Sequence, residues 1–372
     1  MDFLSKFYGN FSTGAGMRLK KPDDILSKFS DKKIINEYKK SISKDLKKTK
    51  IDLTKVENPK IMDIGTGRQS LALSEIFKGQ VYHYDINKKN VQNLKKIIID
   101  KKLKKKIISK AVDVVKFNKF NNNYFDLVYL QGIVQHFSKP DIGIIKLLKT
   151  VKKGGYAWIY FYKSGTFMQF CNYALRDIFH NSNIVNKISI KSLHSIINNS
   201  KKKIGTTKKN LFIFDSFIDS LFVPYAWLFE YKTVRRAFKN SNFKIIKEVT
   251  CSKNEFKYNH SIKHSAFIIS LKKTSKNMKV DTKFLSKQYS VNQLKINYKN
   301  PEMKKIVYNF NKLKKLFKLN NSDIDKVIIC FRIYKKTFQL NFSNVTTNFK
   351  YKELNNFLLM QIDYVDKLQK IR

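Results

Sequence analysis

Four apolar runs between residues 60 and 136 each lead into residues that can do chemistry. The first ends in Asp63-Ile64-Gly65-Thr66-Gly67-Arg68-Gln69-Ser70. Glycine there lets the backbone approach a ligand without a Cβ clash. The helix start that follows offers unpaired N–H donors. The second run ends in Tyr84-Asp85, about 20 residues after the glycines, where an acid accepts hydrogen bonds from ribose hydroxyls. The third ends in Ala111-Val112-Asp113, where an acid can face the exocyclic amine of an adenine. The fourth, Phe125-Asp126-Leu127-Val128-Tyr129-Leu130, passes Gln131-Gly132 into Val134-Gln135-His136. Taken singly, a Gly-x-Gly is also an ordinary turn, and Asp85 or Asp113 an ordinary polar strand end. Asp126, at the start of its strand, reads as structural.

These residues need a frame that brings strand ends together. Lys60–Ile64, Val81–Tyr84, Ile107–Val112, Phe125–Leu130 and Tyr156–Tyr162 read as strands. Helical segments fall between them, at about residues 70–77, 88–100 and 140–151. Such alternation predicts a parallel sheet covered on both faces, with ligands at the carboxyl ends of its strands. Phe243–Val249 and Ser265–Leu271 would complete the sheet as an antiparallel hairpin. Residues 1–58 read as a helical N-terminal extension. Residues 59–272 read as the main domain, with 163–240 as a substrate-side insertion, and 273–372 as a small α+β appendage. In that appendage, Asn300-Pro301 starts a helix that keeps apolar spacing from Met303 to Phe317. Val327–Tyr334 and Thr337–Phe342 read as strands, and Leu354 to Leu368 as a last amphipathic helix.

Composition bounds the function. The formal charge is +47, but 68 of the 75 basic residues are lysine and only seven are arginine. Codon drift in an AT-rich genome produces that pattern, as does selection for a polyanion. Nucleic-acid sites favour arginine for bidentate contacts, so nucleic acid is a possible partner but not the favoured one. Cys171, Cys251 and Cys330 stand far apart with no CxxC pair, so neither a zinc site nor a disulfide framework is suggested. No metal site is expected. The most apolar stretch, Leu211 to Phe229, is broken by Asp215, Asp219 and Pro224, which argues against a membrane span. A cytoplasmic location is the default expectation.

The set of motifs, in this order, resembles a class I S-adenosylmethionine-dependent methyltransferase. Within that family it is similar to the broad group that methylates small molecules, the ubiquinone-biosynthesis type included. The resemblance is clear over about residues 58–165 and weaker to about 272, where Asp215…Pro224 and Phe238…Phe243 follow the late portion of such enzymes. It implies a Rossmann-like α/β fold with a seven-stranded sheet, helices on both faces and an antiparallel last strand. It further implies that Asp63 holds the glycine turn and contacts the methionine end of S-adenosyl-L-methionine, and that Gly65 and Gly67 let the backbone pass it. Asp85 would bind the ribose hydroxyls. Asp113 would bind the adenine amine beside the Val114 backbone, and Leu130 and Gln131 would line the methionine moiety. One departure stands out: the family's third glycine is Gln69 here, and Ser70 stands where a G-x-G-x-x-G dinucleotide motif would need glycine.

A sulfonium is an activated methyl donor, so the cofactor carries the hard chemistry. The protein's task is to align the attacking atom and, where that atom carries a proton, to remove it. His136 is the candidate base, and Tyr162, just past the fifth strand, the candidate neighbour. His83 and His264 read as packing residues beside strands. No Pro-Pro-Tyr type motif follows the fourth strand, where Leu130-Gln131-Gly132-Ile133 stands, and no cysteine lies there. Both common nucleobase chemistries are thereby disfavoured. The acceptor expected is a small molecule or a lipid-linked one. The alternatives are an RNA-directed enzyme using the basic surface and a non-catalytic cofactor-binding protein.

Overall fold

A computed structural model describes residues 32–179, 190–205, 207–249, 266–277, 279–280, 301–319, 321–342 and 347–371. Cys251, His264 and residues 1–31 lie outside the described residues. Two compact units are formed: Met1–Lys163 with Tyr225–Phe256 and Ala266–Lys287, and Ser164–Pro224 with Lys257–Ser265 and Gln288–Arg372.

The first unit opens with α1 (Lys32–Lys48), β1 (Lys60–Ile64), α2 (Arg68–Ile76), β2 (Gln80–Asp85), α3 (Lys88–Asp100) and β3 (Ile107–Ala111). It continues through β4 (Phe125–Leu130), a single 3₁₀ turn at Val134–His136, α4 (Pro140–Lys149) and β5 (Val151–Tyr162). Three helices of the second unit follow: α5 (Phe167–Ile178), α6 (Ile190–Ile204) and α7 (Lys208–Leu221). The chain returns to the first unit with α8 (Tyr231–Lys239), β6 (Phe243–Val249) and β7 (Ala266–Lys273). It ends in the second with α9 (Pro301–Phe317), α10 (Asp323–Phe342) and α11 (Thr347–Lys370).

The sheet has seven strands in the order β3-β2-β1-β4-β5-β7-β6. β1 to β5 pair parallel, and β7 runs antiparallel to both β5 and β6. This is the α/β architecture that the alternation of runs predicts. Side-chain alternation sends Met62, Val128 and Ile159 into one core with α4 and α8. It sends Ile61, Val81, Leu127 and Trp158 into another with α1, α2 and α3. Both faces are thereby buried, as a parallel sheet requires.

The second unit differs from expectation in one element. Residues 327–342, read as two strands, lie within the single helix α10. Val327, Cys330, Phe331, Tyr334 and Thr337 are buried at helical spacing, and Ile329, Ile333 and Leu340 are buried as well. A helix enclosed on most sides loses its polar stripe and reads as a continuous apolar run, which periodicity cannot tell from a strand. From Pro301 on, every described secondary-structure element is a helix. The spacing expected for α9 holds, with Met303, Ile306, Val307, Phe310, Leu313 and Phe317 buried. Asn309 on α9 donates to Asn355 on α11 at 2.6 Å within that packing. Arg176 ties α5 to the end of α7, its Nη1 donating to the carbonyls of Ser220, Leu221 and Val223 at 3.1, 2.9 and 3.0 Å.

Candidate functional site

One row across the sheet breaks the apolar pattern. Adjacent strands align Ser109, His83, Asp63, Tyr129, Trp158 and Ser270 side by side. Parallel strands buried on both faces ordinarily carry Val, Ile and Leu. Here polar and aromatic groups lie one layer below the carboxyl ends of β1 to β4. The turn after β1 rests on that layer.

The turn is held from several directions. Gly65 and Gly67 have φ of 134° and 87°, the left-handed region that side-chain-bearing residues avoid. A Cβ on Gly67 would stand 2.8 Å from Leu94 Cδ2, so that position is closed by contact as well. Around Gly65 a Cβ would meet nothing within 4 Å, which leaves open space along the backbone where a ligand can pass. The Gly65 N–H donates to the Tyr84 carbonyl at 3.0 Å. Ser70 Oγ donates to Asp63 Oδ2 at 2.6 Å, fixing the first turn of α2 to the end of β1. Gln69, in place of the third glycine, is half-buried on that first turn. Arg68 reaches back to α1, donating from Nη1 to Tyr38 Oη at 2.7 Å.

Asp63 and Asp85 are both buried. Burial disfavours the charged carboxylate and pushes each pKa up to about 7; Asp85 adds to the rise at Asp63 by charge repulsion. Asp63 Oδ1 is a buried acceptor with no hydrogen-bond partner among the described residues. Asp85 accepts from the Asn87 N–H at 2.9 Å and from Asn90 Nδ2 at 2.8 Å. Each oxygen keeps a lone pair beyond those bonds. Asn87 in turn caps α3, its side chain accepting from the Lys89 N–H at 2.9 Å.

Asp113 stands two residues past the end of β3, and the Val112 N–H donates to the Asp85 carbonyl at 2.8 Å, so the two strand ends are adjacent. Asp113 Oδ1 accepts from the Val115 N–H at 2.9 Å, an Asx turn that shapes the loop around buried Val114. At the end of β4, Leu130 is fully buried and Gln131 is half-buried. Gln131 Oε1 accepts from the Tyr129 hydroxyl at 3.0 Å. The eight residues singled out on the sequence thus all lie at or just past the carboxyl ends of β1 to β4.

His136 and Tyr162 are brought together. Their rings pack edge to face with centroids 6.1 Å apart. His136 Nδ1 lies 2.9 Å from the Tyr225 carbonyl oxygen. A carbonyl only accepts, so Nδ1 carries the proton and the neutral ring has its lone pair on Nε2. The Trp227 N–H donates to the Gln135 carbonyl at 2.9 Å, and Trp227 Nε1 to the Phe137 carbonyl at 2.9 Å. The 3₁₀ turn that carries His136 is therefore pinned to residues 225–227. Asp126 does the structural work expected of it, accepting from the Lys60 N–H at 2.8 Å and from Lys152 Nζ at 2.9 Å. Among the described residues no group of His, Cys, Asp and Glu could hold a metal ion.

His83, read as a packing residue beside its strand, is fully buried. Its Nε2 lies 2.6 Å from the Gly65 carbonyl oxygen and its Nδ1 2.8 Å from Ser109 Oγ. Its position two residues before Asp85 puts both on one face of β2.

Residues 62–159 match the family model described as a methyltransferase domain. No curated protein matches the chain. Among solved structures, the chain is similar to an SAM-dependent methyltransferase from Aquifex aeolicus at 19% identity and a TM-score of 0.30, covering 39% of this chain and 74% of that one. It is similar to PKMT2 from Rickettsia typhi in complex with AdoHcy at 14% identity and a TM-score of 0.42, covering 80% and 74%. It is also similar to the [4+2]-cyclase SpnF at 18% identity and a TM-score of 0.30, covering 33% of this chain and 44%, less than half, of that one.

Proposed function

We propose that the chain, whose residues 62–159 match the methyltransferase-domain family model, is a class I S-adenosylmethionine-dependent methyltransferase that transfers the cofactor's methyl group to a small-molecule or lipid-linked acceptor. The observation that carries the cofactor site is the pair of buried acids at adjacent strand ends, Asp63 and Asp85, around a glycine turn. The residues fit the cofactor. Asp63 Oδ1 is a buried acceptor without a donor, and an ammonium group such as that of the methionine end supplies one. Asp85 keeps acceptor capacity for ribose hydroxyls, and Asp113 Oδ2, 3.8 Å from the exposed Lys116 Nζ, keeps a lone pair for the adenine amine beside Val114. Gly65 leaves the backbone open to the cofactor and Gly67 shapes the turn, with Leu130 and Gln131 along its methionine end.

When bound, S-adenosylmethionine supplies a methyl group on a positively charged sulfur that a nucleophile can attack directly. The chain's own contribution is alignment and, for a protonated nucleophile, a base. His136 Nε2 takes that proton in this reading. The Tyr225 carbonyl holds the tautomer and steadies the imidazolium that results. The Tyr162 ring packs nearly perpendicular to the imidazole and helps to fix its plane. The absence of a Pro-Pro-Tyr type motif and of a cysteine after β4 supports an acceptor that is not a nucleobase. A cytoplasmic setting fits this reading, and among the described residues no helix is long and apolar enough to cross a membrane.

The test is transfer of a labelled methyl group from S-adenosylmethionine into extracts of small polar metabolites, lipids and RNA. Label in the polar or lipid fraction, reduced at least tenfold by His136→Asn, is the expected result. Label confined to RNA would replace the acceptor class. No label in any fraction, with cofactor bound, would leave a non-catalytic cofactor-binding protein.

A further inference from the structure

The mechanism above makes no use of His83, yet His83 is fully buried and bonded at both ring nitrogens. The Gly65 carbonyl can only accept, so Nε2 carries the proton and donates to it at 2.6 Å. A neutral ring then has its lone pair on Nδ1, which accepts from the Ser109 hydroxyl at 2.8 Å. Burial keeps the ring neutral by pushing its pKa down to about 4. A relay therefore runs from β3 through β2 to the turn after β1: Ser109, His83, Gly65. The Gly65 N–H is already tied to the Tyr84 carbonyl at 3.0 Å, so β2 grips Gly65 through both its N–H and its C=O.

The consequence lies in the next peptide unit. Gly65 C=O and Thr66 N–H share one planar trans peptide and point in opposite directions. Holding the carbonyl on His83 aims the Thr66 N–H away from β2. A turn with φ of 134° and 87° at its two glycines is not held by its own residues, since glycine populates many conformations equally. The third glycine that tightens this turn in the family is Gln69 here. An outside clamp is therefore needed to set the direction of the amides.

We propose that His83 is a positioning residue for the cofactor turn, fixing the Gly65–Thr66 peptide so that its N–H faces the carboxylate end of the cofactor. The proposal rests on the cofactor reading above. His83 touches no substrate; it acts through Gly65 alone.

The two ring nitrogens allow a sharp test, because a glutamine amide reaches where Nε2 stands and an asparagine amide where Nδ1 stands. S-adenosylhomocysteine binding is measured by calorimetry on the full chain, wild type, His83→Gln and His83→Asn, with amide hydrogen exchange of residues 64–70 in the absence of ligand. The proposal expects His83→Gln to bind within threefold of wild type. His83→Asn binds at least tenfold more weakly, and its turn exchanges at least tenfold faster. Equal binding by both variants, whether retained or lost, would overturn it, as would loss in His83→Gln alone. Should His83→Asn fail to fold, Ser109→Ala removes only the far arm of the relay. Binding within threefold of wild type is then expected, and a tenfold loss contradicts the proposal. Absence of binding by the folded wild type would sink the cofactor reading, and the exchange measurement alone would then judge the clamp: unchanged turn exchange in His83→Asn, or in Ser109→Ala exchange accelerated at least tenfold, contradicts it.

Discussion

The two units bury their polar groups to different ends. In the helical unit, Asn309 meets Asn355 and Arg176 Nη1 meets three carbonyls at the end of α7, and the buried atoms short of a hydrogen bond include the neutral Asn172 Oδ1, Tyr173 Oη and Gln361 Oε1. In the sheet unit, the row through Ser109, His83 and Asp63 leaves an acid oxygen without a donor and two carboxylates shifted towards neutrality. A buried polar group left short of partners costs stability, and a carboxylate costs more than a neutral amide or hydroxyl. The difference is one of charge: among the described residues the buried carboxylates all lie in the sheet unit, two of them beside the glycine turn.

The comparison is broken most strongly by a change in the packed unit that alters binding. Phe217 is fully buried among the rings of Phe214, Phe222, Phe331 and Tyr334. Phe217→Ala should cost about 3–5 kcal/mol in urea unfolding and leave the affinity of the folded protein for S-adenosylhomocysteine within twofold. A tenfold change in that affinity would show that the two regions are not separate in function. Next in size, Gly67→Ala places a side chain at φ 87° and 2.8 Å from Leu94. It should cost about 1–3 kcal/mol of stability and weaken cofactor binding by at least tenfold.

Legibility depended on how local the signal is. Gly65, Gly67, Asp63, Asp85 and Asp113 were readable because turns and strand ends demand particular residue types at particular spacings. Helix α10 was not, because Val327 to Tyr334 is enclosed on most sides and its apolar run carries no period. His83 was visible as a residue but not as a clamp. Its role depends on the register that sets it beside Asp63 and Ser109, and register is a property of three strands at once. The pinning of His136 by Tyr225 links positions 89 residues apart and leaves no local trace.

A smaller effect is one of pH. Asp85 has its pKa raised to about 7 from an ordinary 3.8, so the folded, ligand-free protein holds a proton there that the unfolded chain has lost. The ligand-free protein should therefore lose stability as pH rises from about 4 through 7. Ribose hydroxyls donate to the ionised form, so cofactor affinity should move the other way, rising severalfold between pH 6 and 8. Calorimetry in buffers of different ionisation heat would detect the proton released on binding. A flat affinity profile with no proton release would place the ribose elsewhere. In the helical unit, burial pushes the thiols of Cys171 and Cys330 up, so they stay neutral across this range and add nothing to it.

The cofactor site itself is tested most directly by calorimetric binding of S-adenosylmethionine and S-adenosylhomocysteine to wild type and to Asp85→Asn, with thermal unfolding to confirm that both are folded. Asparagine keeps the shape and the bond from the Asn87 N–H but removes one acceptor oxygen. The account predicts micromolar binding by wild type, weakened at least tenfold in the variant, about 1.4 kcal/mol or more. Folded wild-type protein that binds neither ligand, or a variant that binds both as tightly as wild type, would contradict it.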